Sequence, residues 1–588
     1  MIPRTYPSRV NSTTGRVEAL VSFISSTTGL QRWVDYTPVA FVTDATPVEG
    51  SYNNNGYIAV ADVGSTTGLQ AGKDYIRVYL DPNATDAWRV NSVGFIPVGY
   101  SGIGGIPYAL FANNEQGVWY DPSDRTTLFQ DSAGTTPVTA VEQPVGLMLD
   151  KSKGLVLGSE LVTNGTFDTN INGWTFDGTA GGQSWASGKL RVVSGSNFAR
   201  SYTTITTVIG KMYKVRCNST NISGVNTGAY ISKADNAAGG TNSVFSVVGA
   251  AGDRELVFTA TATTTYILVG SSTSSSTNDF DNISVRELPG NHAFQATATS
   301  RPVLSARYNL LLNTETLATQ NVTTAATTQR LRFEGTGSIT LSGTATGTYS
   351  AGSHTFSTTA GTLTLTVTGS VTKADLRASN DAFGQPAYQR VTTATNYDTV
   401  DFKPYLRFDG TDDWLQTNSI NFTATDKMTV FAGVRKLSDA AYGMITELST
   451  SFATLANYGS FYFGAGNQSG SPNAPAYSTG SRGSIAAAAA QSADAVTYVA
   501  PITNVVTATH DISGDSTTIR ADGATAASGT GDKGTGNFGN YPLYIGRRGG
   551  TTLPFNGLLY GLIVRGAATT TATIQATETY MNGKTGAY

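Results

Sequence analysis

Cysteine is almost missing from this chain, which has one, Cys217, among 588 residues. A single cysteine cannot form a disulfide within the chain, so a small disulfide-stapled scaffold is excluded. Cys217 ends the run Tyr213-Lys214-Val215-Arg216-Cys217, in which every second side chain lies on the same face of a strand. We therefore expect Cys217 to be a small buried apolar residue.

Charge is also scarce, since Asp, Glu, Lys and Arg make up 13% of the chain and the formal net charge is −3. This composition offers no basic face for nucleic acid and no polybasic patch for a membrane surface. Long apolar runs are missing, and the N-terminal MIPRTYPSRV lacks the apolar core of a signal peptide. We expect no nucleic-acid partner, no membrane insertion, no transmembrane segment and no signal peptide.

Patterns that carry catalysis are missing as well. The E-x-D-x-E pattern that can place two glycosidase carboxylates on one strand does not occur, and Glu447 stands alone in MITELST. His292, His354 and His510 fall in different predicted units, and each is expected at the surface or in a turn. GTGDKG (529–534) fits a glycine-rich nucleotide pattern but joins β-like runs, and no P-loop occurs. We expect no catalytic residue, no cofactor and no enzymatic activity.

Aspartates in predicted turns could bind a structural metal ion. Calcium takes six to eight oxygen ligands, which such turns can supply, but turn aspartates also accept hydrogen bonds from nearby N–H groups. The sequence does not choose between these roles, so a structural Ca2+ remains a hypothesis without a located site. The aspartates concerned are Asp121 and Asp124, Asp279 and Asp281, and Asp511 and Asp515.

Glycine and aromatic residues are plentiful, with 65 Gly and 10% Phe, Trp and Tyr. Aromatic residues and threonine suit the pleated surface of a sheet, and glycine suits tight turns, so the composition predicts an all-β fold. A chain of this length requires several domains. The tail TTTATIQATETYMNGKTG (569–586) is the exception. Ile574, Thr577 and Met581 share a face at helical spacing, and Asn582-Gly583 offers a left-handed stop.

Several longer segments resemble known families. LVTNGTFDTNINGWTF (161–176) and FDNISVREL (280–288) resemble the start and end of carbohydrate-binding-module-like jelly rolls. YLRFDGTDDWLQT (405–417), with LYIGRRGG (543–550) and FNGLLYGLIV (555–564), resembles the laminin-G or concanavalin-A-like lectin sandwich. Two further segments, 117–152 and 290–304, are similar to parts of tail and fibre proteins of tailed bacteriophages. In those proteins they often run directly into a lectin-like sandwich.

The order of these segments implies that one lectin-like sandwich is interrupted twice, because surface loops accept inserted domains at little entropic cost. The fold class we expect is all-β and multidomain, with tandem and inserted β-sandwiches and one short C-terminal helix. The expected parts are an N-terminal β-rich virion-anchoring domain (1–110), lectin-like pieces (116–153, 289–308 and 401–588), an inserted jelly roll (155–288) and an inserted small β-sandwich (309–400).

Glycan recognition uses flat aromatic faces against sugar C–H groups and amides against hydroxyls. Strand aromatics are, however, usually core residues, and we expect Trp174 to be the core anchor of the jelly roll. The candidate glycan-binding residues are Trp185 and Phe198 in the jelly roll and Tyr458, Tyr462, Asn467 and loop residue Tyr477 in the lectin-like unit.

The resemblance implies a bacteriophage virion protein, a tail or neck fibre or adhesin that binds host surface polysaccharide or lipopolysaccharide without catalysis. Its N-terminal domain would bind other virion proteins. By analogy with other fibres a homo-oligomer is expected, with a trimer slightly favoured. One alternative is a purely structural virion protein, a spacer or head decoration without a ligand. The other is a depolymerising tailspike.

Overall fold

The computed structural model describes residues 106–155, 157–178, 180–196, 199–224, 229–234, 244–246, 252–271, 274–379, 385–466, 475–485 and 491–588. Before residue 106 it describes only the backbone of eight short strands. The chain forms two units, one of residues 1–113 with 569–583 and the other of residues 114–568 with 584–588.

The eight N-terminal strands belong to the first unit and are antiparallel. They form the three-stranded sheets β1-β2-β3 and β4-β5-β6 and the hairpin β7-β8. The virion-anchoring role expected for residues 1–110 remains a prediction. The strands are β1 (Ser8–Val10), β2 (Val17–Leu20), β3 (Tyr36–Pro38), β4 (Tyr52–Asn53), β5 (Tyr57–Ala59), β6 (Tyr75–Arg77), β7 (Arg89–Asn91) and β8 (Gly94–Ile96). A short helix, α1 (Ile106–Ala109), follows.

The second unit starts with four strands and continues into ten more, followed by two short ones. The first four are β9 (Gly117–Tyr120), β10 (Leu128–Phe129), β11 (Gln143–Pro144) and β12 (Leu147–Met148). The next ten are β13 (Thr175–Gly178), β14 (Gly181–Trp185), β15 (Leu190–Ser194), β16 (Ala199–Thr206), β17 (Met212–Ser223), β18 (Ala229–Ala234), β19 (Val244–Ser246), β20 (Gly252–Thr259), β21 (Thr264–Ser271) and β22 (Thr277–Leu288). The two short strands are β23 (Ala293–Phe294) and β24 (Val303–Ser305).

The remaining strands run to the C-terminal helix. They are β25 (Gln320–Thr324), β26 (Thr327–Gly343), β27 (Gly347–Thr358), β28 (Gly361–Thr368), β29 (Val371–Ala378), β30 (Val391–Thr393), β31 (Asn396–Tyr397), β32 (Tyr405–Asp409), β33 (Leu415–Asn421), β34 (Lys427–Lys436), β35 (Tyr442–Leu448), β36 (Ser460–Gly466), β37 (Ala476–Arg482), β38 (Gln491–Val496), β39 (Ile502–Asp511), β40 (Ser516–Ala521), β41 (Ala524–Gly529), β42 (Asn540–Ile545) and β43 (Asn556–Arg565). Single 3-10 turns lie at Arg125–Thr127, Ala298–Ser300 and Leu455–Asn457.

The largest sandwich draws its strands from three separate stretches of chain. One nine-stranded sheet has the order β10-β12-β23-β33-β42-β35-β36-β37-β38. The other has the order β11-β24-β32-β43-β34-β39-β40-β41, with β9 also paired to β43. Strands near residues 117–148 and 293–305 thus pair with strands after residue 404. The core lies between the sheets, where alternate side chains such as Phe461, Phe463 and Ala465 of β36 point inward.

Residues 175–288 form a second sandwich from two five-stranded sheets, β13-β16-β21-β18-β19 and β14-β15-β22-β17-β20. Trp174 is 5% exposed and packs edge-on against Phe167, with ring centroids 5.5 Å apart. The prediction of Trp174 as a core residue is confirmed, and so is that of buried Cys217. The all-β, multidomain fold class is likewise confirmed.

Residues 320–378 form one hydrogen-bonded sheet of five strands. The small β-sandwich expected for residues 309–400 remains a prediction. The 17-residue strand β26 pairs with β27, β28 and β29, and its register shifts between Phe333 and Ser338. The first half of β26 pairs with β29 and the second half with β28. The long strand β26 therefore pairs with two different strands, β29 and β28, along the same edge. A buried cluster including Leu331 and Leu365 forms the core.

The C-terminal helix α2 runs over Thr571–Thr585, which confirms the predicted helix. Ile574, Thr577 and Met581 are all buried, as their shared face requires. The predicted stop is wrong, because the helix continues through Gly583 and the glycine with positive φ is Gly586, at +66°. Across the described ranges, none of the helices has the length and apolarity needed to traverse a bilayer.

Candidate functional site

Two of the six predicted glycan-binding residues are core residues. The placement of Tyr477 on a loop is wrong, because it lies within β37 and is fully buried. Its hydroxyl donates to Asn504 Oδ1 at 3.0 Å, and Lys436 Nζ lies 5.2 Å from its ring centroid. Tyr462 is 6% exposed because its ring packs against Phe452 at 4.8 Å. Neither tyrosine presents a free aromatic face to a sugar.

Of three further predicted glycan-binding residues, the structure describes only Trp185. Trp185 is 46% exposed at the end of β14, where its Nε1 donates to Phe167 O at 2.7 Å. Its ring is thus held in place while part of it faces solvent, although it does not line the cleft described next. Phe198 and Asn467 lie outside the described residues.

Tyr458, the sixth predicted residue, lines an open cleft of about 500 Å³ in the large sandwich. We call it the Tyr458 cleft. Its wall combines two tyrosines, one amide, two hydroxyls and small or apolar groups. The lining residues are Thr423, Ala456, Tyr458, Ser484, Ile485, Gly536, Asn537, Phe538, Gly539 and Tyr541. They come from four stretches of chain that sheet pairing brings together.

The backbone around Tyr458 depends on a glycine. Gly459 has φ +75°, and its amide donates to Gly483 O while its carbonyl accepts from Gly539 N at 2.7 Å. A Cβ at Gly459 would lie 2.8–3.0 Å from the backbone of residues 537–539. Only glycine allows this close approach without strain. The sequence Asn457-Tyr458-Gly459 therefore fixes Tyr458 against the 536–541 segment.

A buried arginine supports the Tyr458 ring. The guanidinium of Arg482 lies 5.1 Å from the centroid of Tyr458 and 4.9 Å from that of Phe452. It also donates to the carbonyls of Phe452 and Thr454, and burial lowers its pKa. A cation against an aromatic face is attractive, more so when desolvated. Arg482 thus ties the 452–458 loop to β37 and limits the motion of the ring.

The polar groups of the cleft are held by a small hydrogen-bond network. Asn537 Nδ2 donates to Thr423 O at 2.7 Å, and the Asn537 backbone N–H donates to Ser484 Oγ at 3.2 Å. Tyr541 Oη donates to Tyr458 O at 2.8 Å. The amide, the hydroxyl and both rings are therefore oriented before any ligand arrives, which lowers the entropic cost of binding.

The wall of the cleft combines apolar faces with hydrogen-bonding groups. Aromatic rings offer apolar faces, while Asn537 and Ser484 can exchange hydrogen bonds with hydroxyl groups. The lining residues include no Asp, Glu, His or Cys, so the described wall supplies no group for general acid–base catalysis near neutral pH. Only Tyr458 was predicted from sequence. The signal for Asn537 and Tyr541 was the Gly- and Asn-rich run GTGNFGNY (534–541), which places small and amide residues beside an aromatic ring.

Three carboxylates form a separate acidic cluster at the end of β32 and in the turn that follows it. Oxygens of Asp409, Asp412 and Asp413 lie within 4.8 Å of one another. Burial, then the charges of Asp409 and Asp412, raise the pKa of Asp413 to about 7. Ser300 Oγ donates to Asp412 Oδ2 at 2.8 Å. Such oxygens fit one side of a calcium shell, and this group was not among the aspartate pairs considered from sequence.

Other ionisable candidates have structural partners. Glu447 is fully buried, and its carboxylate accepts from Arg548 Nε at 2.7 Å and from Phe452 N. The surface or turn placement is wrong for His292 and His510, which are 3% and 2% exposed. Burial lowers the pKa of His292 to about 4 and that of His510 to about 3. Both imidazoles are neutral core groups near pH 7, and only His354 is partly exposed.

No family model matches the chain, and no curated protein matches it significantly. Similar folds occur among solved structures. A family 4 carbohydrate-binding module matches at 14% identity over 21% of this chain and 99% of its own, with TM-score 0.18. The IT-sialidase CBM40 of Ruminococcus gnavus, bound to α2,3-sialyllactose, matches at 15% identity over 28% and 97%, with TM-score 0.22. The enzymatically active domain of bacteriophage CBA120 tailspike protein 4 matches at 17% identity over 22% and 21%, with TM-score 0.19. Likeness at this level does not extend to function.

Proposed function

We propose that this chain is a non-catalytic glycan-binding protein, a tail or neck fibre or adhesin of a bacteriophage virion. The single observation that carries the binding role is the Tyr458 cleft, in which two oriented tyrosines, one amide and one hydroxyl face a space of about 500 Å³. Its ligand would be host surface polysaccharide or lipopolysaccharide. The virion assignment is supported by the resemblance of residues 117–152 and 290–304 to phage tail and fibre segments.

The cleft is open to solvent, so we expect each copy to bind a sugar weakly. Several copies on one particle would raise the overall strength, because the second and later contacts become intramolecular. A homo-oligomer, with a trimer slightly favoured by analogy with other fibres, fits this mode of binding. The N-terminal domain would attach the chain to other virion proteins.

The first rival is a structural spacer or head decoration without a ligand. A spacer needs a stable sandwich, but it has no need for a partly exposed tyrosine supported by buried Arg482 beside an oriented Asn537. The second rival is a depolymerising tailspike built on a parallel β-helix. Every strand pair in the described residues is antiparallel, and a parallel β-helix requires parallel pairs. Glycan binding without hydrolysis is therefore the function that the geometry supports best.

The test is binding of the full chain to a glycan array and to host cells with and without lipopolysaccharide. Tyr458→Ala and Asn537→Ala should each reduce retention on the bound glycan about tenfold or more, since stacking and an oriented hydrogen bond each contribute on the order of 1–2 kcal/mol. Tyr202→Ala is the matched control, because Tyr202 is a partly exposed tyrosine on the jelly roll. Binding to no glycan and no cell, or equal loss in the control, would reject the proposal. Release of reducing ends from the bound glycan would favour the tailspike.

A further inference from the structure

Asn-Gly pairs occur at 55–56, 164–165, 172–173, 556–557 and 582–583 of the chain. In such a pair the backbone nitrogen of glycine can attack the side-chain amide carbon of asparagine, because glycine has no Cβ to obstruct the approach. The pair at 55–56 lies outside the described residues. The local structure determines which of the other pairs can react.

Asn172 and Gly173 lie in an exposed turn at the start of the jelly roll. The Trp174 backbone N–H donates to Ile171 O at 3.2 Å, so Asn172 and Gly173 are the central residues of this turn. Both residues are exposed. Gly173 has φ +86°, and a Cβ built there would meet no atom within 4 Å. Water therefore has access to the Gly173 N–H and to the side-chain amide of Asn172.

The backbone of Asn172 is held while its side chain is not. Its N–H donates to Asn170 Oδ1 at 2.9 Å, and its carbonyl accepts from Asn164 Nδ2 at 3.1 Å. Within the described part of the chain, the side-chain amide of Asn172 makes no hydrogen bond. The side chain can thus rotate until its Cγ faces the Gly173 nitrogen, while the turn keeps the two groups close.

The pair Asn164-Gly165, in the same loop, has the opposite environment. Asn164 Nδ2 donates to Asn170 O at 3.0 Å and to Asn170 Oδ1 and Asn172 O at 3.1 Å. Gly165 is buried, and its carbonyl accepts from Ile283 N at 2.9 Å. A Cβ at Gly165 would lie 1.9 Å from Ile283 O. The amide of Asn164 is therefore fixed, and its glycine is shielded from water.

The remaining described pairs lie inside regular structure. Asn556-Gly557 begins β43, where β32 and β34 pair with it on both sides and Gly557 is buried. Asn582-Gly583 lies within helix α2, whose backbone N–H groups donate along the helix. Ladder and helix geometry hold the glycine nitrogen away from the asparagine side chain, so only Asn172 combines an exposed turn with an unrestrained amide among the described pairs.

We propose that Asn172 is a site of spontaneous deamidation, at which water converts its side-chain amide to a carboxylate. The Gly173 nitrogen loses its proton to solvent and bonds to Asn172 Cγ. The Cγ–Nδ2 bond then breaks, and the nitrogen takes a proton from solvent and leaves as ammonia. Water adds to either carbonyl of the resulting cyclic imide and opens it to aspartate or isoaspartate.

The net change consumes water and releases ammonia, and it needs no oxidant, reductant or enzyme. Isoaspartate lengthens the backbone directly before Trp174, whose Nε1 donates to Asn164 O at 3.2 Å. The modified turn thus adjoins the core anchor of the jelly roll. This reaction does not depend on glycan binding, and either proposal can fail without the other.

Incubation of the full native chain in mildly alkaline water enriched in oxygen-18, followed by digestion in ordinary water, tests the assignment. The heavy oxygen marks only those carboxylates that form during the incubation. Asn164 and Asn172 lie in the same tryptic peptide, 154–189, so fragmentation compares them directly. Asn172 should take up the label at least about tenfold faster than Asn164, because Asn164 must first release its hydrogen bonds.

The same incubation in concentrated urea is the matched control for the fold. In the unfolded chain both pairs should take up the label at similar rates, since each has the sequence Asn-Gly. Asn172→Gln should remove the label at position 172, because the longer side chain closes a ring far more slowly, and Asn164 should stay slow.

Three results would overturn the proposal. The first is a native chain in which Asn172 is labelled no faster than Asn164. The second is an Asn172 that is labelled in urea but not in the native chain. The third is label that persists at position 172 in Asn172→Gln, because it would then come from another reaction.

Discussion

Asp413 gives the sharpest test of the electrostatics in the large sandwich. The perturbation is Asp413→Asn, which keeps the size of the side chain and removes its charge. Asp413 is 8% exposed, its Oδ2 accepts from Asp409 N at 3.0 Å, and burial raises its pKa from 3.8 to about 7. The folded chain therefore holds a proton between about pH 4 and pH 7 that the unfolded chain has lost.

The sign and the size of the effect follow from this difference. Stability falls with rising pH wherever the folded state binds more protons than the unfolded state. The free energy of unfolding should thus fall between pH 4 and pH 7 and stay level above pH 7. The decrease in the free energy of unfolding assigned to Asp413 is on the order of 2–4 kcal/mol, because each tenfold change in proton affinity corresponds to about 1.4 kcal/mol.

The assay is thermal or urea unfolding of the large sandwich at pH 5 and pH 7.5, for the native chain and for Asp413→Asn. The variant should lose most of the pH dependence and be more stable than the native chain at pH 7.5. If the acidic cluster holds Ca2+, calcium should raise the melting temperature of the native chain at pH 7.5 but not that of the variant. An equal pH slope in both chains would refute the assignment of the shifted pKa to Asp413.

Three further predictions concern buried groups. Trp174→Ala should destabilise the jelly roll by about 3–5 kcal/mol in urea unfolding, because it leaves a cavity beside Phe167, whereas a loss under 1 kcal/mol would contradict its core role. Arg548→Met should cost about 3–5 kcal/mol, since it leaves the carboxylate of Glu447 buried and unpaired, and Glu447→Gln in the same chain should recover part of that loss. Cys217 should react with a thiol reagent only on unfolding, because burial raises its pKa to about 12; rapid labelling of the folded chain would show that it is accessible.

The sequence predicts more of the fold than of the candidate site. Alternating runs and turn residues predict strands because the side-chain period of a strand is two, and this held for the run that ends at Cys217. The helical face of Ile574, Thr577 and Met581 was predicted from their spacing of three to four residues, which matches the helical period of 3.6. The helix end was missed because Asn582-Gly583 and Gly586 are both acceptable stops, and the sequence alone does not rank them.

The site depends on contacts between distant residues, which a local pattern does not contain. Tyr458 meets Tyr541 and Asn537 only after the strands of the sandwich pair. Tyr477 was placed on a loop because Asn, Pro and Gly precede and follow it, yet β36 and β38 flank its strand and bury the ring. Its burial depends on the facing sheet and not on its neighbours in sequence.

The most direct test of the central claim is a structure of the full chain bound to an oligosaccharide selected on the glycan array. The account predicts a sugar ring over Tyr458, within about 4 Å of the aromatic face, with Asn537 hydrogen-bonded to one of its hydroxyls. An oligosaccharide bound elsewhere, with the Tyr458 cleft empty at saturating concentration, would contradict it.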